Sequence, residues 1–208
     1  MKKILALGSM LAISAAASAD IQISSATFGP SSVPFGGVVA LDKFDDNGGL
    51  HVLKSITFIY DVSMRASVIA ESFAGPQVIT VGVSGSTNAS DGLLFNLGGG
   101  IFETADSPVL NDGDIYDFGT IKGIFLDSFS TANAIFFPLY TGAGQTFDVN
   151  YSGTGIFGIV GGGNAILDIF DFEAEGTISV IYDYNVIPAP GALALVGLAG
   201  LVARRRRN

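Results

Sequence analysis

The chain has 208 residues, 49% of them hydrophobic and only 14% charged, with no cysteine, no tryptophan and a single histidine. Those counts exclude disulfides, thiolate metal sites, cysteine nucleophiles and any relay assembled from several imidazoles. All nineteen acidic residues but only four of the ten basic ones fall within residues 20–187, a net of −15; such a body disfavours nucleic acid and is compatible with cations or neutral polymers.

In chain order, Met1-Lys2-Lys3 is a basic start, residues 4–17 are an apolar run rich in Leu and Ala, and Ala17-Ser18-Ala19 has the small-x-small pattern of a cleavage site. This predicts a signal peptide over residues 1–19, a mature start at Asp20, and the export translocon and signal peptidase as first partners. The alternative is a retained N-terminal helix. The body beyond Ala19 is one domain's worth of chain, able to bury a core without covalent staples.

Within that body, residues 21–28 alternate and close on Gly29-Pro30, a turn signal, and a second strand is predicted over 36–44. Asp45-Asp46-Asn47-Gly48-Gly49 reads as a loop, because Asn-Gly supplies positive φ. Residues 52–64 carry the clearest period of two, with Ile56, Phe58, Tyr60 and Val62 on one face and Ser55, Thr57, Asp61 and Ser63 on the other. That strand is predicted to be central. Further strands are expected over 66–72, 77–84, 118–125, 133–140, 145–151 and 176–186, with a hairpin over 93–102 bent at Gly98-Gly99-Gly100 and an acidic connecting segment over 106–117. About ten short strands separated by glycine-rich turns predict an all-β fold, an antiparallel β-sandwich of jelly-roll type over residues 20–186.

Several residues are candidates for chemistry. Asp42, Asp45, Asp46 and Asn47 offer the hard oxygen ligands that Ca²⁺ takes, and Asp112, Asp114 and Asp117 offer a second set. Neither has the spacing of an EF-hand, and Asx residues favour turns for their own backbone bonds. Gly153-Thr154-Gly155-Ile156-Phe157-Gly158 spells G-x-G-x-x-G, but Gly161-Gly162-Gly163 prevents the helix a dinucleotide site requires. Glu173 and Glu175 face the same way, whereas a glycosidase needs two carboxylates across a cleft. His51 is expected at the surface beside a turn. Asn88-Ala89-Ser90 and Asn150-Tyr151-Ser152 match the glycosylation sequon. Tyr116, Tyr140 and Tyr151 are the aromatics that a carbohydrate-binding face would use.

The chain ends in a three-part pattern over residues 187–208: Pro188-Ala189-Pro190, an apolar run from Gly191 to Ala203, and Arg204, Arg205, Arg206 and Arg207. At about 1.5 Å per helical residue the run reaches only ~20 Å, short of the ~30 Å hydrocarbon core. The arginines would hold its end on the cytoplasmic side. This tail resembles the PEP-CTERM sorting signal, departing from it at Ala189, where that signal has glutamate. The resemblance implies recognition by an exosortase-type transpeptidase, removal of the helix and transfer of the body to a surface carrier; the alternative is a permanent anchor. Residues 41–50 running into the strand from Leu53, together with Tyr151-Ser152-Gly153-Thr154-Gly155 and residues 176–184, resemble the opening and closing strands of choice-of-anchor E domains, which precede surface-sorting tails and bring no enzymatic role.

The function expected is an exported, surface-sorted structural, matrix or adhesion protein that is not an enzyme and needs no cofactor. The alternatives are a module binding carbohydrate or Ca²⁺, with extracellular polysaccharide as partner, and, less favoured, a glycoside-active enzyme.

Overall fold

The computed structural model describes residues 19–187. Ala17 of the predicted cleavage site and the tail from Pro188 onward, including Pro190, Gly191 and Arg204 to Arg207, lie outside the described residues. The described chain forms eight strands: β1 (Ala19–Ser32), β2 (Phe35–Asp42), β3 (His51–Ser72), β4 (Gln77–Ser90), β5 (Asn96–Leu110), β6 (Ile115–Thr131), β7 (Thr146–Gly161) and β8 (Ala165–Val186). Two single-turn 3₁₀ helices, Asn47–Gly49 and Phe137–Leu139, sit in connections. Among the described residues no helix is long and apolar enough to cross a membrane.

The strands make two four-stranded antiparallel sheets, ordered β1-β8-β3-β6 (sheet A) and β2-β7-β4-β5 (sheet B). The first strand pairs with the last, the second with the seventh, the third with the sixth and the fourth with the fifth. Such pairing describes one long antiparallel ribbon, with its tip at residues 91–95, wound so that its length alternates between two facing sheets. The predicted β-sandwich is therefore the architecture observed.

Alternation explains the core. Ile56, Phe58, Tyr60, Val62, Met64, Ala66, Val68 and Ala70 on β3 are all fully buried, as are Ile178, Val180 and Tyr182 on β8 and Ile79, Val81 and Val83 on β4. β3 lies inside sheet A between β8 and β6, as the central strand should. Its period of two continues unbroken through Arg65, so the two strands expected over 52–64 and 66–72 are one.

Other boundaries differ from the sequence expectation. Gly29-Pro30 is not a turn: it lies within β1 at the register shift between Phe28 and Ser31. There the left-handed Gly29 (φ 84°) puts a would-be Cβ 2.4 Å from the Ala174 carbonyl oxygen. Gly98, Gly99 and Gly100 run straight through β5, and the hairpin turns earlier, over residues 91–95, where the Asp91 carboxylate accepts bonds from the Leu93, Leu94 and Phe95 amides. The acidic segment 106–117 is mostly strand, interrupted only by residues 111–114. Residues 133–140 are not extended; Pro138 and a run of i→i+3 bonds coil them into a loop. Ile21 and Ile23 point outward on β1, because Phe28 sets the opposite phase as the inward one.

All connections lie at the sandwich's two ends except the β1–β2 corner, which crosses between sheets part-way along. One end, here called proximal, carries the long loops 43–50 and 132–145 and the 91–95 turn. It is also where Ala19 pairs with Asn185 and where Ile187 donates to the Leu50 carbonyl. The distal end has three short crossings, 73–76, 111–114 and 162–164.

Candidate functional site

The residues proposed for Ca²⁺ stand at the proximal end, where Asp42 is tied to β1 and Asp45, Asp46 and the Asn47 amide take part in local turn chemistry. Asp42 accepts a bond from the Ser24 hydroxyl (3.3 Å), Asp45 from the Asn47 amide (2.8 Å) and Asp46 from the Gly48 amide (3.2 Å). These Asx bonds hold Asn47 at φ 47° and start the 3₁₀ turn. At the other end of the molecule, Asp114 caps Asn111 and Asp117 caps Gly119. Among the described residues no three His, Cys, Asp or Glu side chains converge as a metal site would require.

Aromatic packing fixes this proximal loop to the last strand. Phe44 lies 5.6 Å from Tyr182 and 5.2 Å from Tyr184, and His51 lies 4.7 Å from Tyr184. The Tyr182 hydroxyl donates to the Asp42 carbonyl (2.9 Å). Burial pushes the Tyr182 hydroxyl well above the usual phenol range, and the nearby Asp42 carboxylate adds to it. His51, expected at the surface, is half-buried in this cluster. Beside it an open, largely apolar depression of about 550 Å³ is lined by Phe44, His51, Leu53, Phe137 and Pro138.

None of the three tyrosines proposed for sugar stacking stands free on a sheet face. Tyr140 is fully buried against Phe58 and Phe147, with its hydroxyl on the Asp91 carboxylate. Tyr151 stacks on Phe28 at 4.1 Å, and Tyr116 is half-buried edge-on to Phe118. Inward phase on their strands, and for Tyr140 the coiling of its loop, turned them from the solvent.

Glu173 and Glu175 do share a face, and both serve Arg65. The Arg65 guanidinium reaches Glu173 at 3.4 Å and Glu175 at 3.9 Å, while Lys122 reaches Glu175 at 3.7 Å. The four side chains come together because Glu173, Arg65 and Lys122 are successive cross-strand neighbours on β8, β3 and β6. Next to them lies an open pocket of about 420 Å³ lined by Thr27, Asp61, Ser63, Lys122, Glu175 and Thr177 over Gly29 and Gly176. Its two carboxylates, one lysine and three hydroxyls form a polar, solvent-open depression suited to hydrogen bonding. Neither Asp61 nor Lys122 stands out in the sequence as a site residue; the signal was present in the polar phase of β3, which also holds Ser63 and Arg65.

A second surface is equally silent in the sequence. Gly85 on β4 and Gly155 on β7 are direct cross-strand partners. A Cβ on either would meet the Met64 sulfur, at 2.9 and 3.1 Å, and one on Gly153 would meet the Phe35 ring at 2.3 Å. Gly85 and Gly155 thus let sheet B sink toward Met64 of sheet A, and Gly153 makes room for the ring of Phe35, its cross-strand neighbour in sheet B. The outer face above them is a shallow, uncharged groove lined by Ser84, Ser86, Asn88, Ser152 and Thr154. The two sequons meet here in register, Asn88 opposite Ser152 and Ser90 opposite Asn150. The G-x-G-x-x-G run lies wholly in β7, with no helix after it.

No family model matches the chain, and no curated protein does. Among solved structures it is similar to a chain of the T13 IBDV viral particle, at 11% identity with a TM-score of 0.16, covering 92% of this chain and 45% of that one. It is similar also to a chain of T=1 particles derived from infectious bursal virus, at 11% identity and a TM-score of 0.16, covering 90% and 48%. The chain thus spans under half the length of either, and likeness at this level carries no argument about fold or function.

Proposed function

We propose that the chain is exported, sorted to the cell surface through its C-terminal signal, and serves there as a structural or adhesive component without catalysis. The observation that carries this reading is the tail: Pro188-Ala189-Pro190, thirteen apolar residues and Arg204 to Arg207, joined almost directly to β8, which ends at Val186. Support comes from the pairing of Ala19 with Asn185, which sets the predicted cleavage site beside the root of the tail. A body tethered there would reach outward by the length of β3, whose 22 residues extend roughly 70 Å. The −15 charge of residues 20–187 suits a protein kept soluble outside the cell. The winding of the ribbon supports the finer description as a jelly roll, and the choice-of-anchor E likeness rests on the β2–β3 entry and the close of β8.

Intact-mass measurement on protein recovered from cells tests the proposal. A species starting at Asp20 and ending near Pro188 or Pro190 with an added carrier is expected. One retaining all four arginines assigns a permanent anchor, and a full-length chain free in the cytosol overturns the reading.

The sunken groove on sheet B favours a second reading, a module that hydrogen-bonds a neutral polysaccharide through Ser84, Ser86, Asn88 and Thr154. Specific retention of one polysaccharide on a glycan array, lost on Ser86→Leu, would support it; uniform absence of retention removes it.

A further inference from the structure

The short arms of the ribbon leave one side of the sandwich open. β2 parts from β7 at Gly153, and β1 parts from β8 at Glu173. Beyond the bond from the Val33 amide to the Phe172 carbonyl (3.2 Å), no strand among the described residues pairs with the outer edge of residues 154–161 of β7 or 165–171 of β8. Both free edges lie on the same side, joined by the 162–164 crossing. The core registers the gap. Ile159 is the cross-strand neighbour of Val81, and Ile169 of Val68; both valines are fully buried, so both isoleucines lie on core-facing sides. Each is nevertheless 39% exposed. Unpaired backbone groups beside uncovered core side chains are what an edge offers to another strand.

The two edges differ in how they are guarded. β8 carries Asp168 and Asp171 there, and Asp171 is kinked at φ 52° beside the register shift between Arg65 and Ser67. Charge and a kink are devices that keep an edge from pairing. The β7 edge has neither charge nor proline. It reads Gly155-Ile156-Phe157-Gly158-Ile159-Val160-Gly161, nearly the same in both directions about Gly158. When two such edges run antiparallel about that residue, Gly158 faces Gly158, Phe157 faces Ile159, Ile156 faces Val160 and Gly155 faces Gly161. An unrelated strand would need this pattern by design; a second copy has it by symmetry. The one irregularity is the extra residue Val160 at the shift between Thr80 and Val81; residues 154–159 are regular, so the inner pairs, Gly158 with Gly158 and Phe157 with Ile159, fall on undistorted backbone and the outer pairs take up the twist at Val160.

We propose that two copies of this chain pair antiparallel through residues 155–161 of β7 about a two-fold axis at Gly158, joining sheet B of one copy to sheet B of the other. The contact uses an uncharged part of a strongly acidic body, so association strengthens as salt screens the remaining carboxylates.

Gly158→Cys tests this directly, since the chain has no cysteine of its own and a Cβ at Gly158 meets no atom within 4 Å. In protein recovered from cells, brief oxidation should link this variant into a covalent dimer, whereas Ser128→Cys on the outer face of sheet A should stay single. Sedimentation should give twice the chain mass for the unaltered protein and once that mass for Ile156→Lys/Val160→Lys, which sets lysine opposite lysine. A monomeric unaltered protein, or a double-lysine variant that still dimerises, overturns the proposal. So does a Gly158→Cys thiol that is shielded from alkylation in a monomer, which would assign the edge to a terminal segment of the same chain.

Discussion

The proximal and distal halves of the sandwich share the same two sheets but are closed differently. In the proximal half all four strands of each sheet are present and the core is aromatic. Phe28 stacks on Tyr151 at 4.1 Å, and Phe58 stacks on Phe95 at 4.1 Å with Tyr140 and Phe147 edge-on. Buried hydroxyls tie its layers together, Tyr60 to Thr87 across the sheets and Tyr140 to Asp91. In the distal half only three strands per sheet remain, and Ala66, Val68, Ala70 and Val81 fill the space, with the Phe157–Phe172 pair at the open side. Closure therefore follows strand length. β1 and β2, at 14 and 8 residues, end before β3 and β8, at 22 each, have run their course.

That contrast is most exposed by truncating one aromatic in each half. Phe58→Ala removes a ring with no solvent exposure from the centre of the proximal cluster, and a loss of about 3–5 kcal/mol is expected. Phe172→Ala, half-buried at the open side, should lose only about 1–2 kcal/mol. Urea titration of the two variants measures both, and equal losses would end the distinction between a closed half and an open one.

Alkali should attack the closed half. Burial raises the Tyr60 hydroxyl to about 12, the Thr87 bond opposing and Tyr151 adding, and burial raises Tyr140 and Tyr182 further. A folded-state pKa above the unfolded value means that this contribution is complete below pH 10 and lost as pH climbs through 12. The melting temperature should fall over that window, and Tyr60→Phe should flatten the fall.

A smaller effect distinguishes two glycines on the same strand. Gly153→Ala forces a methyl against the Phe35 ring, where the would-be Cβ lies 2.3 Å away, and should cost about 1–3 kcal/mol. Gly158→Ala meets open space on the free stretch of β7 and should change stability by no more than about 0.5 kcal/mol. A costly Gly158→Ala would mean that the sheet face at Gly158 is covered by something a single copy does not supply.

How far the sequence foretold these halves depends on which residues carry the signal. Strict alternation in β3 and β8 announced both the sandwich and its central strand, because side-chain phase alone decides burial there. The strand ends of β4 and β7 were hidden because glycines broke the pattern: Gly85, Gly153 and Gly155 are inward positions where packing demands no side chain. Ile21 and Ile23 are the opposite case, apolar residues on an outer face, so alternation over residues 21–28 did not say which phase faces the core. Nothing local could reveal that Asp61 and Lys122 share a pocket, or that β1 ends level with Glu173, since both depend on pairing between segments far apart in the chain.

The smallest effect concerns the boundary between the halves. Glu173 is the last β8 residue paired with β1, through Ser32, and it is also the cross-strand partner of Arg65. The ion pairs there join side chains that are 30–46% exposed, so solvent and salt weaken them. Arg65→Met should cost less than about 1 kcal/mol and nothing measurable in concentrated salt. A larger, salt-independent loss would mean that Arg65 clamps the point where β1 turns away, and the open side would then be held open by a specific contact. A small one leaves strand length as the sole cause, in which case lengthening the β1–β2 corner would be the way to close the distal half.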